Sequence, residues 1–225
     1  MSRTALRCAA PALILTAVVL LPFYNKAFTI DDTIFLNQAK HLLSDPWHPT
    51  AFELVWSEAQ APRRFSDIST SGPVMAYLLV PAVYFGGLEW VAHLTQLAVM
   101  GLAVFSTAGL ALRLGLTSKD AGLAGLLVAA TPAALGMAST SMPDTPALAL
   151  AAFGMERILA WKQEGRLQQA VMAALSLGLA PLARSHLLLL LGIAALALVG
   201  DFLNWRRWLE TSWKDWLPLL PAPLV

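Results

Sequence analysis

Three short motifs in this chain carry residues able to do chemistry. The first is the carboxylate doublet Asp31-Asp32, which opens a polar stretch running to Lys40 and His41. A carboxylate at a membrane boundary can act as general base toward an acceptor hydroxyl or amine. It can also supply oxygen ligands to a divalent cation. Equally, either aspartate can cap a helix beginning near Thr33, because acidic side chains suit a helix N-terminus. The second motif, Ser141-Met142-Pro143-Asp144-Thr145-Pro146, breaks two apolar runs with a Pro-Asp-x-Pro turn. Asp144 there either caps the following helix or joins the doublet as a second acidic group around a metal or an acceptor. The third motif runs from Gly178 to His186 and holds Arg184 as a lone cation between two apolar segments. A guanidinium can grip a phosphate with two parallel hydrogen bonds; alternatively Arg184 stretches to lipid headgroups. His186 can touch the same anion, or serve only as a polar interfacial residue.

The elements that must position these groups are apolar. The chain has 225 residues, 57% of them hydrophobic and 13% charged, with a mean hydropathy of +0.63. A soluble domain carries about 25% charged residues, and the apolar residues here come in long runs, so a soluble domain is excluded. Net charge is +1, and no basic aromatic patch suggests a nucleic-acid partner. The single cysteine, Cys8, leaves no intrachain disulfide to form. His41 and His48 lack metal-ligand spacing to a partner, and no glycine-rich phosphate loop is present.

A helix of roughly 20 apolar residues spans the hydrocarbon core of a bilayer. Residues 5–24 meet that length behind Arg3 and Arg7, and the lack of a small-x-small pattern after Tyr24 makes them an uncleaved anchor. Residues 25–71 form a polar loop. Within it, Ile34, Leu36, Ala39, Leu42 and Leu43 recur at helical spacing, and residues 51–59 read as a second amphipathic helix at the membrane interface. Further apolar segments occupy residues 73–88, 91–114, 121–138, 145–161, 167–182 and 186–202, and another begins at residues 216–225. The fold expected is all-α, a polytopic transmembrane bundle in one membrane domain, the N-terminal part of a longer module.

Basic residues orient such a bundle. Arg3 and Arg7, Arg113 with Lys119, Arg157 with Lys162 and Arg166, and Arg206, Arg207 and Lys214 mark the cytoplasmic side, with Trp205, Trp208, Trp213 and Trp216 at that interface. The 25–71 loop then lies outside. Two apolar segments separate it from Arg113, however, where an odd number of crossings is required. Either residues 73–88, with Pro73, Pro81 and Gly86-Gly87, do not cross, or Arg113 faces outward. The side of Asp144 follows from that choice.

An anchor, an outer loop opening on Asp-acidic, a Pro-Asp turn, then Gly-Leu-Ala-x-Leu-x-Arg before a leucine-rich helix, together resemble the dolichyl-phosphate-mannose-protein mannosyltransferase-like family. That family belongs to the GT-C glycosyltransferase superfamily and includes lipid A aminoarabinose transferases. The resemblance implies an enzyme that moves a sugar from a polyprenyl-phosphate carrier to a lipid, glycan or protein acceptor outside the plasma (inner) membrane. It implies catalytic roles for Asp31, Asp32 and Asp144 and carrier binding at Arg184, with His186 beside it; a divalent cation serves some GT-C enzymes and not others. Where members often show a basic residue and Pro-Pro-Leu, this chain reads Ser71-Gly72-Pro73-Val74. The alternatives are a non-catalytic membrane protein of the same fold acting as an assembly partner, and a small-solute transporter. The latter fits less well, because the apolar segments hold few interior polar residues.

Overall fold

A computed structural model describes residues 3–55, 61–69 and 71–202 of the chain. They are mainly helical. Helix α1, Arg3–Leu20, continues into a 3-10 turn at Leu21–Phe23. Its buried positions are Ala5, Ala9, Ala12, Thr16 and Leu20, a stripe at helical spacing. Small side chains there let helices approach closely. A Cβ on Gly122 would meet the Cys8 carbonyl at 3.2 Å, and one on Gly125 the Ala12 methyl at 3.5 Å. Gly122 and Gly125 belong to α6, Ser118–Ala130, which packs on α1 together with α5, Glu89–Arg113.

Helix α2, Ile30–Leu42, starts on a capping box. It buries Phe35, Leu36, Ala39 and Leu42 against Met75, Ala76, Leu79 and Ala82 of α4, Val74–Tyr84. So the first of the two expected interfacial helices forms, and one side of it is packed into protein. The second does not form as expected. Glu53–Leu54 (β1) pairs antiparallel with Arg63–Arg64 (β2), which leads into the short α3, Phe65–Ile68. Long-range stacking decides this: Phe52 lies between His41 and Phe65, with ring centroids 4.9 and 4.8 Å away. Residues 56–60 of that expected helix lie outside the described residues.

Gly86 and Gly87, at φ 96° and 83°, then turn the chain from α4 into α5. Gly115, at φ 88°, ends α5. After α6 the path bends by 61° into α7, Pro132–Ala138. Helix α8, Asp144–Glu164, is closed by Gly165 at φ 67° and packs along α9, Leu167–Ala183. Gly154 is the tight point of that hairpin, because a Cβ there would sit 2.6 Å from Leu177. A 3-10 turn, Ser185–Leu187, leads to α10, Leu188–Phe202. The expected segment at residues 216–225 and the tryptophan cluster from Trp205 to Trp216 lie outside the described residues.

Among the described residues, Arg3–Phe23 and Glu89–Arg113 are long and apolar enough to cross a membrane, and the bent α6–α7 pair makes a third such span if counted as one. Helix α4, with 11 residues, reaches only about 16 Å. Helix α5 therefore carries the chain from one end of the bundle to the other. Arg113 arrives at the end that also holds Arg7 and Lys119.

Candidate functional site

The loop between α7 and α8 is the hub of the opposite end. Four parts of the chain reach it. The Lys26 ammonium donates to the Ser139 carbonyl at 3.4 Å. From α5, the Gln96 side-chain amide donates to the carbonyls of Thr140 (2.8 Å) and Met142 (2.9 Å). Asp32 accepts from the Ser141 backbone N–H at 2.7 Å. Arg184 holds Asp144, where the loop becomes α8. His93 adds support from α5, donating from Nε2 to the Lys26 carbonyl at 2.8 Å.

The two carboxylates of the doublet have different surroundings. Asp32 is fully buried. Its Oδ2 accepts from the Thr29 backbone N–H and hydroxyl, both at 2.8 Å, and its Oδ1 takes the Ser141 N–H. A buried carboxylate needs such donors, since the charge otherwise loses its hydration uncompensated. Asp32 thus joins the start of α2 to the α7–α8 loop. Asp31 sits one residue earlier in the first helical turn, exposed to solvent. It has no hydrogen-bond or ion-pair partner among the described residues.

Asp144 and Arg184 meet through a two-point contact. Arg184 Nε donates to Asp144 Oδ1 at 3.1 Å and Nη2 to Oδ2, while Nη1 donates to the Ser71 hydroxyl at 3.1 Å. A guanidinium has five N–H donors, so one hydrogen on each terminal nitrogen is left over. Gly72 makes the Ser71 contact possible: a Cβ at that position would lie 2.0 Å from the Leu182 carbonyl oxygen. His186 is exposed in the turn after Arg184 and touches none of these groups. Beside Asp144 opens a largely apolar cavity of about 360 Å³, walled by Met100, Ala134, Met137 and Leu148.

Asp32, Asp144 and Arg184 are therefore gathered at one end of the bundle, with Asp31 on the same helix start. His186 stands apart. No three His, Cys, Asp or Glu side chains among the described residues form a metal-ligand group. Thr29, Lys26 and Gln96 were not singled out by sequence reasoning, and Ser71 appeared only as a departure from the family signature. Of the first three, only Gln96 left a signal there, as an amide inside an apolar run.

The opposite end holds a second polar cluster. Glu156 and Arg157, adjacent and both buried, pair with each other. Arg113 binds Glu156, Gln163 and Glu164, and Arg157 Nη1 reaches the Gln169 side chain at 2.7 Å. Arg157 thus lies at the same end as Arg113. Its charge is buried among partners, because it falls on the α8 face that packs against α5 and α9. Comparison with known protein families, with curated proteins and with solved structures gives no match to this chain.

Proposed function

We propose that this chain is a multi-pass inner-membrane glycosyltransferase of GT-C type, using a polyprenyl-phosphate-linked sugar on the outer face. The observation that carries the reading is the convergence of three motifs far apart in sequence. The Asp31-Asp32 helix start, the 139–144 loop and Arg184 share one end of the bundle. Arg7, Arg113 and Lys119 share the other, which the positive-inside rule assigns to the cytoplasm.

In this reading Asp31 is the general base. Its carboxylate takes the proton from the acceptor hydroxyl, and the freed oxygen pair attacks the anomeric carbon. The bond from that carbon to the phosphate oxygen breaks on the opposite face, so configuration inverts and polyprenyl phosphate leaves with the electron pair. Arg184 stabilises the charge growing on the phosphate through its two remaining N–H groups. Asp144 and Ser71 orient that guanidinium, and Asp32 fixes the backbone on which Asp31 stands.

The test is transfer by the reconstituted chain from a polyprenyl-phosphate sugar to an envelope lipid or glycan acceptor. D31N should abolish transfer while membrane insertion and thermal unfolding stay unchanged. Near-normal transfer by D31N would overturn the role of Asp31. If the wild-type chain neither binds the carrier nor transfers sugar, the enzymatic reading falls and an assembly partner of the same architecture replaces it.

A further inference from the structure

We propose that the groove between α1 and α6, at the end of the bundle opposite Asp31, binds an anionic phospholipid. The groove encloses about 630 Å³. Its apolar walls include Pro11, Leu123 and Leu126, and its mouth carries Arg7 and Lys119. Both cations are exposed, and neither has a hydrogen-bond or ion-pair partner among the described residues. The neighbouring carboxylate of Asp120 accepts the Thr117 hydroxyl at 2.7 Å at the start of α6. Arg3 lies one helical turn before Arg7 on the same side of α1, adding positive charge at the mouth.

The shape of the groove has a cause. Gly122 brings the two helices together at the Cys8 carbonyl, and away from that contact the larger Leu123 and Leu126 line the opening. Both walls belong to helices counted among the membrane-length candidates, so acyl chains can lie along them while the headgroup stays at the mouth. Two unpaired cations above an apolar slot complement a phosphate diester carrying acyl chains. A zwitterionic lipid brings an ammonium that these cations repel. Basic pockets between spanning helices recognise anionic headgroups in this way.

Cys8 lines the groove and is the only cysteine in the sequence, which gives a direct readout. The full chain is placed in phosphatidylcholine nanodiscs with increasing phosphatidylglycerol, and the rate of Cys8 alkylation by a maleimide is followed. Phosphatidylglycerol should protect Cys8 in the wild type. In R7Q/K119Q affinity should fall roughly thirtyfold from the loss of two cations, so the half-protection point moves to a much higher phosphatidylglycerol fraction or is not reached in pure phosphatidylglycerol. L123Q, at an exposed wall position, should raise it less. R166Q removes a cation outside the groove and should leave it in place. Equal alkylation rates with and without phosphatidylglycerol would overturn the proposal. So would a midpoint unmoved in R7Q/K119Q, or one moved as far by R166Q. Protection that follows protein concentration whatever the lipid would assign the groove to a second copy of the chain.

Discussion

Asp32 accepts a hydrogen bond from the backbone N–H of Ser141, 109 positions away in sequence, at 2.7 Å. The same side chain caps its own helix through Thr29. One buried carboxylate therefore fixes both the start of α2 and the loop that delivers Asp144. In D32A the Thr29 and Ser141 donors lose their acceptor, and unfolding free energy should fall by about 3 kcal/mol. D31N, at a solvent-facing position, should change stability by no more than about 0.5 kcal/mol. Thermal unfolding of the two variants side by side checks the division of labour. Equal losses would contradict it.

Asp144 and Arg184 form a partly exposed, two-point ion pair. A double-mutant cycle of D144N and R184Q should give a coupling energy of about 1 kcal/mol, which salt reduces. R184K keeps the charge but loses the planar fork. In the proposed reaction it should weaken carrier binding by about tenfold while leaving the folded state intact. Titration with the polyprenyl-phosphate sugar measures this.

Gly72 admits no side chain, because the Leu182 carbonyl occupies the place of its Cβ. G72A should force the strand of chain before α4 away from the end of α9, at a cost of about 3 kcal/mol. Ser71 would leave Arg184 with it. S71A removes only the hydroxyl and should cost about 1 kcal/mol. The ratio of the two losses in denaturant unfolding separates backbone clash from the lost hydrogen bond.

At the other end, E156A should be the most destabilising of these single changes. It leaves Arg157 buried without its carboxylate and takes one partner from Arg113. The expected loss is about 4 kcal/mol. A loss below 1 kcal/mol would show that water reaches this cluster freely.

The 25–71 loop gives a pH-dependent prediction. His48 Nδ1 donates to the Asp45 carboxylate at 2.9 Å, and that hydrogen bond is the main reason Asp45 titrates below the ordinary aspartate range. A carboxyl held low in the folded state adds stability above its unfolded value of about 3.9, and that contribution fades as pH falls through the lower folded value. H48A should return the Asp45 midpoint to the ordinary range. Carboxyl carbon shifts followed by NMR would detect it.

What the sequence made legible was local. The apolar runs of α1 and α5 carry their own length signal. The acidic doublet marked a helix start, but α2 begins at Ile30 with Thr29 as its N-cap, so both aspartates lie inside the first turn and Asp32 serves the cap from there by binding Thr29. Residues 51–59 misled, because their apolar spacing suits a helix while Glu53, Leu54 and Phe52 find their partners in Arg63, Arg64 and Phe65, which periodicity within the segment does not detect. The burial of Arg157 was hidden for a related reason. A basic residue near a helix end reads as a flank until the facing helices show that Glu156 and Gln169 surround it. Ser71 and Gly72 stood out only as a departure from the family signature, and their contacts arise where the end of α9 crosses them.

The α8–α9 hairpin pairs charges along its own length, Asp144 with Arg184 at one end and Glu156 with Arg157 at the other. These contacts present the surroundings with two short dipoles instead of four separate ions. Removing an ion from water costs far more than removing a neutral pair.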